Sequence, residues 1–374
     1  MKRFALLMIV ALAVGCGKSE PEPGTPAGGD EGTVATTNPT PGDLPVFTLA
    51  TSEYPSWSTY VVAGKVGLVN PEEGGEYSDL EKKYGVDIVI EATDYDSCFS
   101  LYGSGTVDAA CLTNMDSLNP SLGRATTAFM PTSTSAGGDK AVVVGVEDLE
   151  ALKSVPIHGL ELSVSQYTVV RGLEEQGQNP DDFKFINLPP DAAATAIQTG
   201  SNDVKAICVW NPYAIITLKA VPEAKAIFTS DLIAGEIIDQ VIIGNESLAK
   251  EGGENFAKAL CDIQYQINDK LWNSDQKVKD AARNALKQSF APTFVDQLDL
   301  ADMEKVLSDT RFFKTAKDGI EWYKSDEFKT KMQTVVKTCQ TIGVVEGGKL
   351  PTIGYEDDSA QLNFTTRYME AVAK

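Results

Sequence analysis

The chain has 374 residues, with 32 Lys+Arg against 53 Asp+Glu, a formal charge of −21. That excess of acid argues against a nucleic-acid partner, because phosphate binding needs clustered cations. Hydrophobic residues make up 43% and His158 is the only histidine, which excludes a wholly disordered chain and a His-rich zinc centre respectively.

The chain opens on basic Lys2 and Arg3, then an apolar run over 4–14, then Gly15 and Cys16. The run is too short to span a bilayer, where about 20 residues are needed, and the order is that of a secretory signal. Ala13-Val14-Gly15-Cys16 resembles a lipobox, in which the cysteine carries the lipid and becomes the mature N-terminus. Residues 1–16 are therefore expected as a lipoprotein signal peptide, with Cys16 anchoring a periplasmic or extracytoplasmic protein to a membrane. Residues 17–45 are rich in Gly, Pro, Thr, Ser and Glu. Such a segment cannot bury enough apolar surface to offset its ordering entropy, so it is expected as a flexible tether. No later segment has 18 consecutive apolar residues, so no further span is expected.

From Val46 onward, short β-rich runs alternate with helical patterns. The predicted strands are 46–50, 87–91, 108–113, 141–144, 183–187, 205–209 and 241–243, with helices at 165–176 and 191–199 between them. This alternation predicts an α/β fold with largely parallel sheets. Beyond Glu251 the pattern turns helical, at 255–272, 275–288, 302–308 and 326–342. Five cysteines follow Cys16, an odd number, so at least one is unpaired within the chain. Cys111 and Cys208 sit in apolar runs and read as buried thiols. A Cys261–Cys339 bridge is left open.

Residues 103–114, Gly-Ser-Gly-Thr-Val-Asp-Ala-Ala-Cys-Leu-Thr-Asn, echo 200–211, Gly-Ser-Asn-Asp-Val-Lys-Ala-Ile-Cys-Val-Trp-Asn. Each copy reads as a turn, a buried strand, then an asparagine placed to cap the next helix. In open parallel sheets ligands sit beyond the carboxyl ends of strands, so two such units predict a cleft between two lobes.

The echo belongs to a longer series: Ser52-Glu-Tyr54-Pro-Ser-Trp57, Thr113-Asn114-Met115-Asp116, Leu162-Ser163-Val-Ser165-Gln-Tyr167, Trp210-Asn211-Pro212 and Gly235-Glu236-Ile-Ile-Asp239. Over roughly residues 46–345 this series resembles the solute-binding proteins of ABC importers of the nitrate, sulfonate, taurine and thiamine-precursor type. It is most similar to the branch associated with urea carboxylase. The resemblance implies a two-lobed periplasmic-binding-protein type II fold with a helical C-terminal region. Lobe I takes 46–145 plus 240–374 and lobe II takes 146–239. It implies a monomer, no enzyme and no cofactor, whose partners are a small solute, an ABC permease and its ATPase.

The residues of the series suggest the cleft's chemistry. Trp57 and Trp210 can stack on a flat solute or hold a cation, or can fill the core. Tyr54 and Tyr167 are further aromatic candidates. Ser163 or Ser165 can cap a helix whose free N–H groups hold an anion or carbonyl oxygen. Asn114, Asp116 and Asn211 offer hydrogen bonds past strand ends, and Glu236 and Asp239 stand near the return crossing as acceptors or hinge supports. Asp94 and Tyr95 are weaker candidates, and His158 is expected in a solvated loop. No Arg or Lys lies in these blocks, and the nearest are Lys140, Lys205 and Arg171. Buried nitrate or sulfonate wants a fixed cation, so the expected solute is urea, guanidine or a related amide. Nitrate, sulfonate, taurine or a thiamine pyrimidine is the alternative, and an enzyme on the same fold, which needs a reactive Cys or His in the cleft, is a further one.

Overall fold

The computed structural model describes residues 39–290, 296–345 and 349–373. The expected signal peptide, Cys16 and the tether as far as residue 38 lie outside them. Near the start of the described chain, the N–H groups of Gly42 and Leu44 donate to the Tyr77 hydroxyl at 2.7 and 3.2 Å.

The strands are β1 (Val46–Thr51), β2 (Asp87–Ala92), β3 (Ala109–Thr113), β4 (Thr126–Ser135), β5 (Asp139–Val144), β6 (Ile157–Gly159), β7 (Phe185–Asn187), β8 (Ala206–Trp210), β9 (Ala224–Thr229), β10 (Ile238–Gly244), β11 (Thr310–Phe312), β12 (Ile353–Tyr355) and β13 (Leu362–Phe364). They form two sheets. The first runs β12-β13-β4-β10-β3-β1-β2, with β11 also on β4, and the second runs β7-β6-β8-β5-β9. The chain crosses from the first to the second at 136–138 and returns through 230–237.

The parallel expectation holds for β2-β1-β3 and for β7-β6-β8. It fails for the strands that carry the crossings. β10 runs antiparallel to β3 and β4, and β5 runs antiparallel to β8 and β9. The geometry explains this. A chain arriving from the other sheet enters where the resident strands end, so it must run back along them. Asp239 thus lies opposite Thr113 at the end of β3, and Asp139 opposite Trp210 at the end of β8.

β4 has no sequence cue, since all ten of its residues are buried and no in-out alternation survives. Its Ser and Thr hydroxyls are satisfied internally; Thr132 and Thr134 donate to the carbonyls of Asp239 and Ile237. His158 lies within β6, half-buried, with Nδ1 3.3 Å from the Ala206 carbonyl. The solvated-loop expectation fails because β6 is sandwiched between β7 and β8.

The helices begin where their caps dictate. Ser163 opens the helix Val164–Glu175, and its hydroxyl accepts from the Ser165 N–H at 3.1 Å. Asp299 and Asp302 form a capping box on Leu300–Asp309. The long helix Gly253–Trp272 buries Phe256, Leu260, Ile263, Ile267 and Leu271 on one face, each worth about 1.5–3 kcal/mol of apolar burial. All five described cysteines are free and buried, so no Cys261–Cys339 bridge forms. Burial pushes the thiols of Cys111 and Cys208 well up, which disfavours the reactive thiolate.

Candidate functional site

The echoed strands β3 and β8 end at equivalent corners of the two sheets. At each corner the asparagine just past the strand end donates its backbone N–H to a crossing segment: Asn114 to the Ile238 carbonyl at 2.9 Å, Asn211 to the Gly138 carbonyl at 3.0 Å. Neither caps the helix that follows, contrary to expectation. The crossing backbone takes both side-chain bonds of Asn114, whereas the Asn211 oxygen stays unpartnered.

Between the corners lies a small chamber lined by Tyr54, Trp57, Tyr95, Thr113, Asp139, Val164, Trp210, Ile237 and Asp239. Its void of about 10 Å³ is room for one water. The aromatic walls are continuous. Trp57 and Tyr95 lie parallel with ring centroids 5.6 Å apart, and Tyr95 meets Trp210 edge-on at 5.8 Å. These side chains are nearly sealed, Trp57 at 2% and Trp210 at 3% exposure.

Buried carboxylates stand against this box. Asp139 accepts from the Ser135 hydroxyl, Asp239 from the Ser133 hydroxyl, and Asp116 from Thr113 and Tyr95. Burial pushes Asp116 and Asp139 up to about 6 and raises Asp239 well above the usual carboxylate range. Three polar atoms of its lining have no partner, Asp139 Oδ1, Tyr54 Oη and Trp57 Nε1, and Asn211 Oδ1 and Ser165 Oγ are buried and unpartnered off that lining. Buried polar groups are almost always paired, so these orphans make the chamber a candidate ligand site.

A wider cavity of about 650 Å³ opens beyond Trp210 and Tyr95. It carries Glu53, Asp94, Asp96 and Asp191 on its walls, and neither its lining nor the chamber's includes a Lys or Arg. Glu53 accepts from the Tyr213 hydroxyl at 2.8 Å, and burial raises its pKa. The nearby cations are spent elsewhere. Lys140 binds Asp309 at 2.8 Å, Arg171 binds Glu236 at 3.0 Å, and Lys205 is exposed.

The structure therefore brings Tyr54, Trp57, Trp210 and Asp239 together on the chamber, with Asp116 one hydrogen bond behind its wall. Asn211 and Ser165 are buried with unpartnered side-chain oxygens. Asn114 is consumed: its Nδ2 donates to the Glu236 carbonyl at 2.8 Å and its Oδ1 accepts from Ile238 N–H at 3.0 Å. Ser163 is consumed by its cap. Tyr167 donates to Glu236 at 2.8 Å, and Glu236 also takes Arg171, so these two form a buried lock instead of a cleft wall. The sequence reading missed Asp139, Glu53 and Tyr213. A signal for Asp139 existed: Asp139-Lys-Ala-Val-Val echoes Asp239-Gln-Val-Ile-Ile, 100 residues apart.

No family model and no curated relative matches the chain. Solved structures do. The alkanesulfonate-binding protein SsuA from Xanthomonas axonopodis pv. citri, bound to MOPS, superposes with a TM-score of 0.62 at 14% identity, over 82% of this chain and 95% of that one. The periplasmic nitrate-binding protein NrtA from Synechocystis PCC 6803 gives 0.53 at 10% identity, over 84% and 92%. The Candida albicans CA3427 gene product, described as having the generic periplasmic binding protein fold, gives 0.56 at 14% identity, over 88% and 96%. At these identities the likeness speaks for architecture, and the chain has the two-lobed type II periplasmic-binding-protein fold.

Proposed function

We propose that the protein is a non-catalytic solute receptor that captures a small nitrogenous solute of the urea and guanidine class and delivers it to an ABC permease and its ATPase. One observation carries the choice of solute: the two cavities are lined with acids, and among the described residues no Lys or Arg stands on either lining. Removing an anion from water into such a place is unfavourable, whereas a cation meets carboxylates and aromatic faces together. Guanidinium is favoured within the class, because once the two sheets part enough to widen the one-water void its planar N–H groups can donate to Asp139 and Asp239 while its face lies on an indole. The outer acidic walls raise the local concentration of such a cation. The buried thiols and the absence of a histidine from the chamber lining support a binding role over nucleophilic catalysis. Lipidation at Cys16 would hold the receptor on the outer side of a membrane beside its permease; among the described residues no helix is long and apolar enough to cross one.

A thermal-shift screen with millimolar guanidinium, urea, nitrate, taurine and an aminopyrimidine tests the reading. A ligand at 100 times its Kd stabilises by about 2.7 kcal/mol. Stabilisation by guanidinium or urea is expected; a shift with nitrate or taurine alone overturns the choice of solute.

A further inference from the structure

Asp139 and Asp239 are equivalent positions of the internal repeat. Each is at or next to the start of the antiparallel strand that enters its sheet, each lies opposite the last residue of an echoed strand, and each accepts from a serine on β4, Ser135 and Ser133. The fold thus brings one carboxyl group from each sheet to a single chamber. The Tyr54 phenol stands beside both, without a hydrogen-bond partner of good geometry. The buried Lys140 ammonium, engaged by Asp309 and the Gly137 carbonyl, partly offsets the charge of Asp139, yet burial outweighs it, and two negative charges in so dry a space repel.

Resting on the cationic reading above, we propose that the Asp139–Asp239 pair holds one proton in the empty protein and releases it to solvent when a guanidinium-type cation enters, so that each solute captured is exchanged for a proton. The charges balance: a neutral carboxyl and a free cation become a carboxylate–cation pair and a free proton. The directions of the pKa displacements agree. Burial lifts both groups, and the charge of Asp139 lifts Asp239 further. The surrounding groups do not supply an alternative. Cys111 on β3 and Cys208 on β8 are kept protonated by burial, as is Tyr54. Lys140 on β5 turns to Gly137 and to Asp309, which Lys305 also holds. Asp116, behind Thr113, joins the titration near pH 6. The pair titrates as a unit, so the released proton belongs to both groups.

Calorimetric titration of the whole protein with guanidinium chloride, in two buffers of different ionisation heat, measures the exchange. At pH 7 the expected release is about one proton per guanidinium, and affinity falls about tenfold per pH unit between pH 8 and 6. In Asp239→Asn, which removes the member of the pair that burial keeps protonated at pH 7, the release disappears and the pH dependence flattens. The infrared band of a protonated carboxyl, present in the empty wild-type protein, should vanish on adding guanidinium; this needs no variant. Guanidinium binding with no proton release and an unchanged band overturns the exchange and leaves the cationic reading intact. No guanidinium binding at any pH overturns both.

Discussion

The two echoed corners have the same backbone plan and opposite uses. At the first, β3 ends in Thr113-Asn114, and the asparagine side chain is fully bonded to the return segment at Glu236 and Ile238. At the second, β8 ends in Trp210-Asn211, where Asn211 Oδ1 has no partner and its Nδ2 reaches Asp309 only at 3.5 Å. One corner is a stitch; at the other the asparagine's side-chain oxygen is left unclaimed. A repeat therefore fixes where a residue stands, while its partners decide whether its side chain is bonded or left free.

The sharpest way to break this comparison is at the aromatic position. Trp210→Ala should cost about 3–5 kcal/mol in chemical denaturation and abolish the calorimetric signal with solute. An unchanged solute affinity would show that the second corner is not the binding side. Asn114→Ala comes next. It strands the Ile238 N–H and should cost about 1–3 kcal/mol, read as a lower urea midpoint, because a buried donor loses its acceptor. Asn211→Ala removes an acceptor that is already unpartnered, so stability should move by less than about 1 kcal/mol while solute affinity drops. Equal stability losses at the two asparagines would erase the distinction.

A pH series gives the next effect. Asp139 keeps its proton up to about 6 when folded, while the unfolded chain gives it up in the usual carboxylate range. The folded state then binds more protons between those values, so this group's contribution favours folding at low pH and is lost as pH rises through about 6. Melting temperatures of wild type and Asp139→Asn should therefore converge as pH falls toward 4, with the wild type the less stable at pH 7 when no solute is present. The smallest expected effect concerns the thiols. With all five described cysteines buried, a thiol reagent should label none of them without denaturant.

The sheets were legible wherever a strand was short, apolar and bounded by turns, as for β1, β2, β3 and β8. β4 was illegible because a strand covered on both faces shows no alternation, and its hydroxyls imitate a loop. β11 to β13, three residues each, fall below any periodic signal. At the site, Trp57 and Trp210 stood out as large aromatics beside strand ends and polar residues. Asn114 and Glu236 carried the same local cues but are claimed by partners more than 60 residues away, Ile238 and Arg171, which no local window contains. Asp139 escaped because its meaning lies in register with Trp210 and in its likeness to Asp239, both of them long-range facts.

The first crossing carries a mechanical consequence. β4 is bonded along its length by β10, β11 and β13, so it is a stiff rod up to Ser135. Only residues 136–138 separate it from β5, and two of them are glycines. At Gly137 the backbone has φ +99°, and a Cβ would meet the Asp231 carboxylate at 2.8 Å. Any turn of the second sheet about those three residues would have that whole sheet as its arm, so a torsional change of a few degrees there would displace β7, on its far edge, by ångströms.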